Sequence, residues 1–315
     1  MSATAQKSGF VAIVGLPNTG KSTLFNAVMG QKLAIVSPKP QTTRYRLTGV
    51  LTTDEGQMAL VDLPGLFKPK SHFQEKMIGR SLEALEGADV VWYVRDLDDE
   101  PLSDVEFSFG RRSEVLRDLQ REKKLIIVIN KVDTLAREKL LPYIDALQQS
   151  LLPHEEAPIP PIVPLSARRP SDKGTLRLLQ ETWALLPDGP LVYPKETRTD
   201  RNTEFFASEF VREQVFRLIR KEIPYGIGVT IDHVEAAKKR KREKQRFWAT
   251  ICVSKETHKG ILIGDGGKML KQIGTKARQN LMGLLRTRCE LFLHVAVKPE
   301  WHRHDELATP GERRG

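Results

Sequence analysis

The stretch FVAIVGLPNTGKSTLFNAVMG, residues 10–30, decides how the chain begins to fold. Its first part, FVAIVG (10–15), is a short apolar run with β-branched residues and reads as a buried parallel strand. Residues 21–29 read as a helix. Between them Gly15 and Gly20 bracket four residues and are followed by Lys21 and Ser22. A strand, a glycine loop and a helix in that order form a phosphate cradle. Glycines let backbone N–H groups close on phosphate oxygens, and the helix N-terminus adds its positive end. Lys21 is placed to reach the β- and γ-phosphates, and the Ser22 hydroxyl to ligate Mg²⁺. The candidate contacts in this stretch are Gly15, Asn18, Thr19, Gly20, Lys21, Ser22 and Thr23.

The apolar-run pattern recurs in MALVDLPG (58–65), DVVWYVRD (89–96) and LIIVINKVD (125–133), with helical stretches such as 75–86 between them. Strands alternating with helices predict a doubly wound, mostly parallel α/β sheet. Ligands of such sheets bind at the C-terminal ends of the strands. Asp62 closes one strand and suits a water-mediated Mg²⁺ contact, with Gly65 beside it. Asn130, Lys131 and Asp133 close another. A carboxylate such as Asp133 pairs with the N1–H and 2-amino group of guanine, a donor pair that adenine lacks, so the base selected is guanine. Ser166 and Ala167 end a further short strand, IVPLSA, where a backbone N–H can meet guanine O6. Four motifs in fixed order, each on a strand end, specify far more than one.

Residues 1–8 read as a tail and 9–186 as the nucleotide-binding domain. LLPDGPLVYPKETRTD (185–200) has three prolines and a glycine, which places a linker over 187–202. Beyond it, TEFFASEFVREQVFRLIRKE (203–222) carries a helical apolar stripe. GIGVTIDHVE (226–235), RFWATICVS (246–254) and ELFLHVAVK (290–298) read as strands, and 268–286 as a helix. These make a small α+β domain over 203–300, with a tail over 301–315. The charge divides at the same place. Residues 201–315 hold 24 Lys and Arg against 14 Asp and Glu, whereas 1–200 hold equal numbers, so the whole excess of +10 lies in the last third. That part is built to meet a polyanion.

IGDGGKMLKQIGTKAR (263–278) holds a second glycine turn, Gly264-Asp265-Gly266-Gly267. It lacks the Lys-Ser pair and carries an acid inside the turn, which argues against a triphosphate with Mg²⁺. A GxxG turn between helices is the backbone clamp of KH domains, which grip about four single-stranded nucleotides. Lys268, Lys271, Lys276 and Arg278 add cations on the following helix. KKRKREKQR (238–246) reads as an exposed basic hairpin, either solubilising or contacting phosphate. Trp301 is open to two readings: stacked on a base, or packed in the protein.

Two cysteines, Cys252 and Cys289, lack metal or redox spacing and predict two small buried residues in a reducing compartment. The N-terminus has no apolar signal core, and no run approaches a membrane span. A peripheral contact with a membrane surface is compatible with the composition.

Taken together, GLPNTGKS (15–22), QTTR (41–44), DLPG (62–65), NKVD (130–133), SAR (166–168) and IGDGGKMLKQIGTKAR resemble the Era family of bacterial ribosome-associated GTPases over about residues 9–307. The resemblance implies a P-loop GTPase domain followed by a type II KH domain. It assigns Thr43 as the magnesium ligand of the first switch segment, so that Ser22, Thr43 and Asp62 form the metal set and Lys21, Thr43, Asp62 and Gly65 the catalytic set. It implies GTP and GDP with Mg²⁺ as ligands, and K⁺ held with the help of Asn18. It implies RNA contacts at Gly264, Asp265, Gly266, Gly267, Lys268, Lys271, Arg278 and Trp301. The partners implied are the 3′ end of 16S ribosomal RNA and the 30S subunit, for a cytoplasmic monomer that promotes subunit assembly. Leu63 and Arg168 depart from the family's usual Thr and Lys. Leu66 stands where many GTPases carry the glutamine that orients the attacking water, so slow intrinsic hydrolysis is expected.

Overall fold

The structure, a computed structural model, describes residues 6–65, 79, 81–96, 106–107, 110–111, 121, 124–134, 137–151, 159–169, 173–220, 222–236, 244–299 and 301. Packing divides the chain into two compact units. One holds residues up to Ala34 together with Thr43–Asp200, and the other holds Ile35–Thr42 with the chain from Arg201 onward.

The first unit is built on a six-stranded sheet in the order β2-β3-β1-β4-β7-β8. The strands are β1 (Lys7–Val14), β2 (Leu47–Thr52), β3 (Gly56–Asp62), β4 (Val90–Arg95), β7 (Lys124–Ile129) and β8 (Ile162–Pro164). A separate two-residue pair, β5 (Glu106–Phe107) and β6 (Gly110–Arg111), adds a small hairpin ladder. All pairings in the main sheet are parallel except β2 with β3. β1 is central, and its residues Val11–Val14 are at most 1 % exposed, as a strand covered on both faces requires.

Alternate side chains feed opposite layers. Val91 and Tyr93 of β4 join a core with Tyr143 and Leu147 of α2 (Arg137–Leu151). Trp92, between them, turns the other way and donates its Nε1–H to the Thr182 hydroxyl of α3 (Lys173–Leu185) at 2.9 Å. α1 (Lys21–Met29) begins after Gly20 and stops at Gly30, whose φ of 63° takes the left-handed cap that glycine adopts freely.

The proline-rich stretch after α3 is sewn to this sheet. Val50 N–H donates to the Arg198 carbonyl at 2.9 Å, and Gln57 and Tyr193 exchange bonds of 3.0 and 2.7 Å. Residues 187–200, read above as part of a linker, therefore count with the first unit.

The second unit has a three-stranded sheet, β11-β10-β9, from β9 (Ile227–Glu235), β10 (Gln245–Val253) and β11 (Cys289–Val297). Its helices are α4 (Thr203–Leu218), α5 (Glu256–Ile263) and α6 (Lys268–Leu285). Asn202 caps α4 by accepting the Phe205 N–H at 2.9 Å.

α4 is buried on nearly all sides from Phe205 to Phe216, charged residues included. Those charges are paired, as burial demands. Arg212 grips Glu209 through both carboxylate oxygens at 2.6 and 2.5 Å and donates to the Thr42 carbonyl at 2.7 Å. Glu213 accepts from Val36 N–H at 3.0 Å and from Asn280 Nδ2 of α6 at 2.9 Å. These bonds explain why Ile35–Thr42, distant in sequence, packs with α4.

Candidate functional site

In the first unit the loop Gly15–Gly20 leaves β1 and enters α1. Two glycines there are obligatory. Gly15 has φ of 147° and a Cβ on it would lie 2.1 Å from the Val94 carbonyl. Gly20 has φ of 93° and a Cβ would lie 2.2 Å from Asn130 Nδ2. Asn18, at φ 67°, takes a left-handed turn that asparagine tolerates better than most residues. Thr19 donates its hydroxyl to the Leu16 carbonyl at 3.0 Å. The Lys21 ammonium is folded onto the Gly15 and Leu16 carbonyls at 3.1 and 2.8 Å, inside the mouth of the loop where phosphates would sit.

Ser22, Thr43 and Asp62 converge as the sequence predicts. Ser22 Oγ lies 2.7 Å from Asp62 Oδ2 and 2.9 Å from Thr43 Oγ1. The Ser22 proton is committed to the carboxylate, so Thr43 donates to Ser22. Asp62 is fully buried, and its Oδ1 has no protein partner. Burial pushes its carboxyl up to about 6, against the lowering effects of Ser22 and Lys21. Two hydroxyls and an under-satisfied buried carboxylate are the oxygen donors that a hard divalent cation takes, so the residues present fit Mg²⁺. Gly65 lies against the loop: a Cβ on it would meet Pro17 N at 3.1 Å. Leu63, the departure from the usual Thr, is completely buried in the core with Val14 and Val61, which accounts for an apolar residue at that position. Leu66 lies outside the described residues.

The base-side motif is assembled around Asn130. Its Nδ2 donates to the Thr19 carbonyl at 2.8 Å and its Oδ1 accepts the Ala167 N–H at 3.0 Å, tying the phosphate loop to the Ser166–Ala167 turn. The Ala167 N–H, expected at guanine O6, is thus engaged by Asn130 in this structure. The Ser166 hydroxyl donates to Asp133 Oδ1 at 2.6 Å, and that bond foremost holds the Asp133 carboxyl below its usual range, with small help from Arg168 and Arg169. The Ser166 bond engages Oδ1 of Asp133, the carboxylate that supplies the acceptor a guanine edge needs. Lys131, at φ 63°, places its ammonium 2.5 Å from Asp96 Oδ2. Sequence reasoning missed Asp96; its position at the end of a strand beside NKVD was the available signal.

In the second unit the GxxG turn joins α5 to α6. Gly264, Gly266 and Gly267 have φ of 69°, 55° and 78°. A Cβ on Gly264 would strike Met269 Cβ at 2.7 Å, whereas Gly266 and Gly267 face open space. Two small residues with nothing in front of them permit a backbone to approach. α6 buries Ile273, Ala277 and Leu281 and leaves Lys268, Lys271, Lys276 and Arg278 exposed. At about 100° per residue Lys268 falls opposite the buried stripe, with Lys271 and Arg278 toward one flank and Lys276 toward the other. Asp265 pairs loosely with Lys268 at 3.3 Å, both highly exposed.

Trp301, counted among the RNA contacts, is not available for one. It is 4 % exposed, packs on Cys252 and donates its Nε1–H to the Gly226 carbonyl at 3.0 Å. A tryptophan with its ring covered and its donor satisfied cannot stack on a base, so packing is the correct reading. Residues 238–243 of the basic hairpin lie outside the described residues. Both cysteines are buried, and burial pushes their thiols up, as inert packing residues require. Among the described residues no helix is long and apolar enough to cross a membrane.

Comparison with known proteins places these two sites together elsewhere. The family described as a 50S ribosome-binding GTPase matches residues 10–131, and a KH domain family matches 222–302. The GTPase Era of Heliobacterium modesticaldum is 38% identical over 301 residues, covering 96% of this chain and 95% of that one. The Era of a Geobacter species is 38% identical over 307 residues, covering 98% of both. A solved structure of an Aquifex aeolicus Era variant bound to GDP and aluminium fluoride matches 96% of this chain and 97% of its own, with a TM-score of 0.82 and 34% identity. Another, of Era with MgGDPNP and nucleotides 1506–1542 of 16S ribosomal RNA, matches over the same shares with a TM-score of 0.84 and 34% identity.

Proposed function

The chain belongs to the Era family of GTPases, and on that premise we propose that it binds GTP with Mg²⁺ in the first unit and the 3′ end of 16S ribosomal RNA in the second, promoting 30S assembly. The observation that carries the nucleotide half is the convergence of Ser22 Oγ, Thr43 Oγ1 and Asp62 Oδ2 beside the Gly15–Gly20 loop, on a carboxylate whose Oδ1 has no protein partner. Bound there, Mg²⁺ supplies charge neutralisation at the phosphate oxygens. The protein's own part is positional. The loop N–H groups and α1 cradle the phosphates, and Lys21 leaves its carbonyl partners for the β- and γ-oxygens. Gly65 offers its N–H beside the loop. Asn130, Lys131 and Asp133 receive guanine, with the Ser166 hydroxyl bonded to one oxygen of the Asp133 carboxylate. Hydrolysis is slow because Leu66 cannot orient water.

The RNA half rests on the open GxxG backbone and on the cations of α6. Gly264–Gly267 admit the sugar–phosphate chain, and Lys268, Lys271 and Arg278 meet its phosphates. The chain acts in the cytoplasm as a monomer, touching a membrane at most peripherally. A K⁺ ion beside Asn18 adds to phosphate neutralisation. Equal GTP turnover in KCl and NaCl at matched ionic strength would remove that last element. The whole reading is tested by titrating a short RNA copying the 16S 3′ end, and a scrambled control, against the protein with a non-hydrolysable GTP analogue. Preference for the native sequence, lost in a Gly266→Asp/Gly267→Asp variant, is the expected result. Equal binding of both RNAs would reduce the second unit to a general anion anchor.

A further inference from the structure

β4 and β7 run parallel with Arg95 opposite Ile129, so Asp96 and Asn130 leave adjacent strand ends. The Asn130 N–H donates to the Arg95 carbonyl at 2.8 Å and holds that register into the motif. Asp96 is 8 % exposed. A carboxylate so placed needs a partner, and it takes the Lys131 ammonium at 2.5 Å.

Lys131 is fastened from its backbone as well. Its left-handed φ of 63° leads into the turn Val132–Thr134, where its carbonyl accepts from Thr134 N–H at 3.0 Å and Thr134 Oγ1 at 2.8 Å. A lysine side chain ordinarily loses much rotamer freedom when it is fixed against a ligand. Here both ends are fixed in the protein alone. What remains to present outward is the methylene stem, on a side chain 35% exposed, between the Asn130 and Asp133 that receive the base.

We propose that Asp96 is a positioning residue for guanine-nucleotide binding: its carboxylate anchors the Lys131 ammonium so that the lysine stem stands ready as an apolar plate against the guanine ring. The inference rests on the guanine reading of Asn130–Asp133. Prior ordering of the lysine removes part of the entropy lost on binding, so the benefit appears in nucleotide affinity and in slow release, not in the chemical step. A plain structural ion pair acts differently: breaking it lowers stability and leaves nucleotide affinity and release where they were.

The test is a double-mutant cycle of Asp96→Asn with Lys131→Met, which keeps an apolar stem without the charge. Affinity and dissociation rate of fluorescently labelled GDP are read by stopped flow, with single-turnover hydrolysis at saturating GTP. Asp96→Asn alone should weaken GDP by about tenfold, through faster release, with the single-turnover rate unchanged within about twofold. In the Lys131→Met background the same change should have no further effect. An affinity unchanged by Asp96→Asn, or an equal loss in both backgrounds, would overturn the proposal. Asp133→Asn serves as the control for the pocket. A shift of preference from guanine to xanthine nucleotides shows that the pocket is as read, and then a silent Asp96→Asn defeats this inference alone. No shift defeats the pocket reading itself.

Discussion

Replacing Asp62 with asparagine should alter how stability depends on pH. In the folded protein burial lifts the Asp62 carboxyl to about 6 from an ordinary 3.8. The folded state therefore binds this proton more tightly than the unfolded chain does. The stabilisation it gives is complete below the unfolded value and is lost as pH rises through 6. Between pH 5 and pH 8 that loss amounts to about 1.4 kcal/mol, from a full linkage of about 3 kcal/mol. Asparagine has no proton to lose and nearly the same shape. Urea unfolding in EDTA, without nucleotide, at pH 5, 6, 7 and 8 isolates the effect, because every other group titrates in both proteins. The difference in stability between variant and wild type should move by about 1.4 kcal/mol in the variant's favour from pH 5 to 8. Adding Mg²⁺ and GDP should favour the wild type at high pH, because the cation favours the ionised carboxylate. Parallel pH curves for the two proteins in EDTA would refute the claim that Asp62 is an uncompensated buried acid waiting for a cation.

Arg212→Met leaves the Glu209 carboxylate buried without its guanidinium and frees the Thr42 carbonyl; a loss of about 3–5 kcal/mol is expected by denaturant unfolding, and a smaller one when Glu209→Gln is added. Gly266→Asp with Gly267→Asp puts charge on an open turn and strains a backbone held at φ of 55° and 78°; RNA affinity should fall by about tenfold or more, with a modestly lower thermal midpoint from the strain. Trp301→Phe removes the bond to the Gly226 carbonyl; it should cost about 1–2 kcal/mol of stability and leave the affinity for RNA where it was.

The nucleotide site was legible because its chemistry leaves few alternatives. Gly15 and Gly20 hold backbone angles and contacts that exclude a side chain, and Lys21, Ser22, Asp62, Asn130 and Asp133 each sit at a strand or loop end that periodicity marks. The α+β unit was legible from its three strand runs and from the apolar stripe over 203–222. Trp301 was not settled by sequence, because an indole suits a base stack and a core equally well; only the Cys252 contact and the Gly226 carbonyl decide between them. Residues 35–42 carry no periodicity. Their placement depends on Arg212 and Glu213, about 170 residues away, and no local pattern announces such a bond. β2, an antiparallel edge strand, and the docking of 187–200 escaped for the same reason: both are fixed by pairing partners, not by composition.

The central claim, that one chain couples a GTP site to an RNA site, is tested most directly by the affinity for the 16S 3′-end RNA with GTP analogue, with GDP and without nucleotide. Tight, sequence-dependent binding that strengthens with the GTP analogue is the predicted result. Affinity that is the same in all three states would contradict the coupling, even if each site bound its ligand alone.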